Sequence, residues 1–126
     1  MRIAATHAED LRLSIQELAA KNCEPCEGTN PLTREEAVLL LHGLPGWTLR
    51  DNTIEKEFRL GSYLDGLDFA CGVGRVAEKQ DHHPDILIGW RRVKLSLSTH
   101  SIKGLSQNDF IMAAKSELEY RKFAPM

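Results

Sequence analysis

Three histidines close together in the chain, His82, His83 and His100, are the side chains best suited to proton chemistry. Imidazole is the side chain that ordinarily titrates near neutrality, so it can both give and take a proton. Two carboxylates, Glu78 and Asp81, stand just upstream. Carboxylates orient imidazoles and favour their protonated form, so the group reads as a general acid–base set. A bland reading stands beside it: His-His-Pro can be a polar helix exit, and solvated histidines on an open sheet face would do nothing. A zinc reading is weaker. Three histidines can hold a catalytic metal with one open position, but no His-x-x-x-His pair stands among them.

Whether the histidines meet depends on strand register. Residues 86–90 and 93–99 read as a hairpin, and Val-Lys-Leu-Ser-Leu-Ser-Thr alternates strictly. A loop centred on Arg91-Arg92 pairs Trp90 with Val93, Ile88 with Leu95 and Ile86 with Leu97. An odd-length loop would set these residues against Lys94 and Ser96 instead. On the even ladder Asp85 faces Ser98 and His83 faces His100, with opposed Cβ atoms roughly 5 Å apart on the non-apolar face. Trp90 falls on the core face and reads as packing. Pro84 suits a strand start or edge and holds His83 extended. His82 belongs to the turn that leaves the preceding helix, and spacing alone does not bring it to the others.

The elements that must position these groups carry clear signals. Thr6-x-x-Glu9 reads as a capping box for an N-terminal helix, with Leu11, Ile15 and Leu18 on its apolar face and an end near Lys21. CEPCEGTNP follows as a linker, so residues 1–30 form an arm and residues 31–126 the main domain. The three cysteines, Cys23, Cys26 and Cys71, are too few and too odd in number for a disulfide framework. The lone Cys23-x-x-Cys26 is better explained by local structure than by redox or metal chemistry.

Thr33-x-x-Glu36 opens the next helix, and Gly43 followed by Pro45 ends it, glycine supplying a left-handed cap. Residues 47–50 and 54–60 read as strands around an Asp51-Asn52 turn. Ser62-x-x-Asp65 caps a long helix to about Gln80 with two apolar stripes, Leu67/Ala70/Cys71/Gly74/Ala77 and Phe69/Val73/Val76. Gly72 and Gly74 cost it about 1 kcal/mol each, a cost that close approach of another helix would explain. Ser106-x-x-Asp109 caps the last helix, and capping is sufficient to account for Asp109. The order is a helical arm, then αββαββα. That pattern predicts an α+β fold, a four-stranded antiparallel sheet with helices on one face.

At 126 residues the chain is one domain. A net charge of −2 gives no support for direct nucleic-acid binding. No apolar run is long enough to span a bilayer, and the N-terminus lacks a secretory apolar stretch, so the expected location is the cytoplasm.

The run Glu78-x3-His82-His83-Pro84-x5-Trp90-x9-His100-x8-Asp109, with CEPCEGTNPLTREEA, LPGW, DHHPDI and LSTHSIKGLSQNDF, resembles the pterin-4a-carbinolamine dehydratases. The resemblance implies the αββα-ββα fold and a hydro-lyase that removes water from 4a-hydroxytetrahydropterin to give quinonoid dihydropterin. The step would belong to tetrahydrobiopterin recycling, coupled to an aromatic amino-acid hydroxylase. It implies no metal and no cofactor. His82, His83 and His100 would be the catalytic set: His82 and His100 as acid and base, His83 orienting the ring. Glu78, Asp81, His83 and Pro84 would bind the substrate. It also implies a homo-oligomer, dimer or tetramer, formed through sheet edges and the long helix. A second use belongs to some animal members, which bind the helical dimerisation region of a transcription factor as coactivators; a scaffold is a further alternative. The arm is absent from shorter members and is expected to lie clear of the motif.

Overall fold

The computed structural model describes residues 11–123. The Thr6–Glu9 capping box lies outside them. Within the described part the arm helix, α1 (Ile15–Ala19), starts from a different box. Ser14 N–H donates to the Glu17 carboxylate at 2.9 Å, and Glu17 N–H donates to the Ser14 hydroxyl at 3.1 Å. Leu11 and Leu18 are fully buried in the common core. Helix α2 (Arg34–Leu41) opens on the Thr33/Glu36 box as its sequence predicts.

The end of α2 is not the expected left-handed glycine cap. His42 is the cap residue and is right-handed, and the positive-φ glycines among the described residues are Gly28 and Gly46. Gly43 is needed for space: a Cβ there would collide with the backbone carbonyl of Leu13, which crosses over it.

Strands β1 (Thr48–Arg50), β2 (Thr53–Arg59), β3 (Asp85–Gly89) and β4 (Arg92–Leu97) form one antiparallel sheet in the order β1-β2-β4-β3. Helix α3 (Tyr63–Gln80) connects the hairpins, and α4 (Gln107–Tyr120) follows the second. Ile54, Phe58, Val93, Leu95 and Leu97 turn one face of the sheet inward, against Phe69, Val73 and Ala77 of α3 and Phe110, Met112 and Ala113 of α4. Lys56 also lies on this inner face. It is satisfied there by Glu117 at 2.6 Å, whose same oxygen takes the Trp47 indole N–H at 2.9 Å.

The second hairpin corrects the expected register. Gly89 pairs with Arg92, Ile88 with Val93, Ile86 with Leu95 and Asp85 with Ser96. The loop is Trp90-Arg91, with Arg91 at φ 58°, so the ladder is shifted by two residues. A shift of two preserves side-chain alternation, and either register sets apolar residues against apolar ones. Contacts outside the hairpin select between them: Phe58 lies opposite Val93, and Leu60 N–H donates to the Arg91 carbonyl at 3.0 Å. Two consequences follow. His83 is not opposite His100, because β4 ends at Leu97. Trp90 is not core packing; it sits 71 % exposed in the turn with the Arg91 guanidinium 5.1 Å from its ring.

On α3 the buried positions are Gly66, Phe69, Ala70, Val73 and Ala77. Leu67 and Gly74 are half-buried, Cys71 is exposed, and Leu64 is 68 % exposed. Gly72 makes room for the Glu119 carboxylate of α4, which an added Cβ would meet at 2.6 Å, whereas no described residue comes within 4 Å of a Cβ added at Gly74.

Candidate active site

Helix α3 ends on Asp81, a non-glycine residue in the left-handed region at φ 52°. This reversal supplies what spacing could not show, since it turns His82 inward with its N–H on the Ala77 carbonyl at 3.2 Å. The His82 side chain is only 11 % exposed, and its Nε2 lies 2.6 Å from Oδ1 of a fully buried Asp109. The other carboxylate oxygen of Asp109 accepts the Thr99 hydroxyl at 2.8 Å and the Ser106 N–H at 3.0 Å. Thr99 spends its proton on Asp109, so the 2.8 Å contact between Thr99 and Ser106 is a bond donated by Ser106. With Asp109 accepting throughout, Nε2 of His82 is a donor and Nδ1 is the nitrogen able to exchange a proton. Asp109 is therefore more than a cap: it orients an imidazole.

The other predicted residues are placed differently. His83 Nε2 meets Glu78 at 2.6 Å, but both side chains are largely exposed, a setting in which ion pairs contribute little. His100 begins a short 3-10 turn (His100–Ile102) and is exposed. Pro84 is half-buried before β3, and Asp81 is exposed at the helix end.

His82 and Asp81 line a cleft of about 340 Å³, together with Thr99 and Ser101. His100 lies between these last two in sequence, but neither His100 nor His83 is part of the lining. The opposite wall is the linker from Cys23 to Glu27, so the arm does touch the motif region, contrary to expectation. Two amide side chains hold it there. Gln80 accepts the Cys23 N–H at 2.7 Å. Asn108 accepts the Glu24 N–H at 3.0 Å and donates back to the Glu24 carbonyl at 2.6 Å. Nothing in the sequence announced this pairing, because the partners lie far apart in the chain. A larger cavity of about 570 Å³ shares the same linker but contains none of the histidines.

Cys23 packs into this clamp, with its thiol 3.7 Å from the Asn108 carbonyl. Burial pushes the Cys23 thiol up to about 11, nearby Lys115 opposing this only in part. The thiolate is the reactive form, so Cys23 should resist iodoacetamide at pH 8 while exposed Cys71 is alkylated. Peptide mapping after a timed reaction checks this, and Cys23 modified as fast as Cys71 in the folded protein would contradict it. Among the described residues, no group of three or more His, Cys, Asp or Glu side chains is placed to hold a metal ion, and no helix is long and apolar enough to cross a membrane.

Residues 30–118 match the family model described as pterin 4 alpha carbinolamine dehydratase. The chain is 48 % identical over 101 residues to a protein of Methylococcus capsulatus named "Putative pterin-4-alpha-carbinolamine dehydratase", covering 78 % of this chain and 89 % of that one. A protein of the same name from Nitrosospira multiformis is 44 % identical over 103 residues, covering 81 % and 91 %. Among solved structures, a transcriptional coactivator/pterin dehydratase from Brucella melitensis superposes with a TM-score of 0.70 at 31 % identity, covering 72 % of this chain and 99 % of that one. A pterin dehydratase-like protein described as a RuBisCO assembly factor in the alpha-carboxysome shares the fold, with a TM-score of 0.50 at 20 % identity and coverage of 59 % and 86 %.

Proposed function

The chain belongs to the pterin 4 alpha carbinolamine dehydratase family, and from that premise we propose that it dehydrates 4a-hydroxytetrahydropterins at the His82 cleft. The observation that carries this reading is the buried Asp109–His82 couple, an oriented imidazole opening on a cleft of small-ligand size. The reaction breaks the bond between carbon 4a and its hydroxyl. One group protonates the departing oxygen, which leaves as water. The lone pair of the adjacent ring nitrogen stabilises the cation, and a second group removes a proton from nitrogen to give quinonoid dihydropterin. No electron is gained or lost.

His82 supplies one proton-transfer group through Nδ1, and Asp109 fixes its tautomer. His100, outside the cleft lining but between its lining residues Thr99 and Ser101 in sequence, supplies the other by reaching in from the exposed 3-10 turn, and His83, held by Glu78, orients the projecting part of the ring together with Pro84. Asp81 contacts the polar ring edge. The physiological setting is tetrahydrobiopterin recycling beside an aromatic amino-acid hydroxylase, in the cytoplasm. The Brucella protein is described as both transcriptional coactivator and pterin dehydratase, so a role as a helix-binding partner is the second reading.

A dehydration assay on the purified chain decides between them. Turnover of a 4a-hydroxytetrahydropterin well above the spontaneous rate, unchanged by prolonged chelation, is expected. A rate equal to the spontaneous one would leave the binding role, and loss on chelation restored by zinc would reverse the metal-free mechanism.

We also propose a homo-oligomer. β3 is an edge strand with Leu87 63 % exposed and Ile88 exposed, and the outer face of α3 shows Tyr63 and Leu64. Uncovered edges and apolar patches of this kind invite pairing with another copy, and closed symmetry satisfies them without open-ended growth. Sedimentation equilibrium at micromolar concentration should give a dimer or tetramer; a monomer refutes it. Gly74→Leu, where no described residue lies within 4 Å of an added Cβ, should weaken assembly while the fold is retained.

A further inference from the structure

The wall of the cleft opposite His82 comes from the N-terminal arm, and that wall is acidic. Glu24 and Glu27 line it from the arm and Asp81 lines it from the end of α3, while among the described residues no lysine or arginine lines the cleft. All three residues are exposed, and none of the three carboxylates has a hydrogen-bond or ionic partner among the described residues. The wall is also built rather than loosely draped. The Asn108 amide makes a reciprocal pair of bonds to the Glu24 backbone, and Gln80 ties down Cys23. These two clamps sit beside the catalytic couple in the chain, Asn108 next to Asp109 and Gln80 two residues before His82. The arm is thereby fixed to the same two elements that fix the imidazole.

We propose that residues 23–27 of the arm are a specificity wall of the dehydratase cleft, in which Glu24 and Glu27 discriminate against pterins with an anionic substituent. The inference rests on the cleft being the pterin site. A bicyclic pterin leaves part of a cleft this size open, which gives the group on its ring room to lie along the arm wall. Against this wall an uncharged hydroxylated chain finds carboxylate acceptors for its hydroxyls. A carboxylate or phosphate there meets like charge, with no lysine or arginine of the described residues in the lining to offset it. At roughly 7 Å in water each opposed carboxylate weakens binding of a monoanion about threefold, so two weaken it about tenfold.

Fluorescence titration of the full chain with two oxidised pterins tests this, one with a neutral dihydroxypropyl group at carbon 6 and one with a carboxylate there. The wild-type protein should bind the neutral pterin at least about tenfold more tightly at low salt. The preference should shrink roughly five- to tenfold in Glu24→Gln/Glu27→Gln, and it should collapse in about 1 M salt, where screening acts within a few ångströms. Glu35→Gln, an exposed change on α2, should leave the preference as it is. Binding of the two pterins within about twofold, or a preference unmoved by the double substitution, overturns the wall. Failure of both pterins to bind overturns instead the placing of the pterin in this cleft.

Discussion

His82→Ala is expected to slow dehydration by roughly 10²-fold or more, the usual scale for loss of a general acid or base. His82 is the histidine that combines burial, a fixed tautomer and direct access to the cleft. Its removal should leave the fold intact, since Asp109 keeps the Thr99 hydroxyl and the Ser106 N–H on its other oxygen. The loss should therefore appear in kcat, with a thermal unfolding midpoint lowered only modestly, in line with one hydrogen bond worth about 1–2 kcal/mol. His100→Ala should show a loss of the same kind, softened if the remaining histidine serves the other face of the substrate. His83→Ala should raise KM more than it lowers kcat, because the exposed His83–Glu78 pair fits ring orientation better than proton transfer. Turnover within a few-fold of wild type in both His82→Ala and His100→Ala would sink the acid–base assignment.

How far the sequence discloses this site can be judged from particular residues. The Thr33/Glu36 and Ser106/Asp109 pairs mark helix starts because capping is local chemistry, decided within four residues. The alternation of 93–99 marks a half-buried strand for the same reason. Register is different. Moving the second hairpin by two residues changes no local preference, and the choice is made by Phe58 on β2 and by Leu60 just past its end. The predicted meeting of His83 with His100 failed on that non-local choice, and so did the burial of Trp90.

The partner of the His82 imidazole is the residue whose role seemed complete. A carboxylate has two oxygens, and the Ser106 cap engages one. Asking where the second oxygen of a buried Asp109 goes is the question that could have found His82. The arm shows the opposite case. Gly43 reads as a helix stop from sequence, yet its function is to let the Leu13 backbone pass. The linker reads as a spacer, yet it forms a wall of the cleft. Long-range contacts of backbone with backbone leave almost no trace in side-chain pattern.

Asp109→Ala should be the most destabilising single change at the site, and Asp109→Asn should separate its two roles. Asp109 is fully buried and receives three donors: the His82 ring, the Thr99 hydroxyl and the Ser106 N–H. Alanine leaves all three without an acceptor in a dry setting, removes the N3 partner of the cap, and opens a small void. Unsatisfied buried donors cost about 1–3 kcal/mol each, and the lost cap adds about 1. A loss of several kcal/mol is thus expected, enough to leave a domain of this size barely folded. Asparagine keeps the shape. Its carbonyl oxygen can take the Ser106 N–H and the Thr99 hydroxyl, so the cap survives at a cost of about 1–2 kcal/mol. Its amide then points at His82 and donates, so Nε2 must become the acceptor and the proton moves to Nδ1. That is the wrong tautomer for a base opening on the cleft. Asp109→Asn should therefore fold, bind pterin with nearly wild-type affinity, and lose roughly 10²-fold or more in kcat. A merely structural Asp109 predicts another pattern, in which asparagine restores both stability and turnover. Wild-type kcat in a well-folded Asp109→Asn protein would reduce Asp109 to a helix cap.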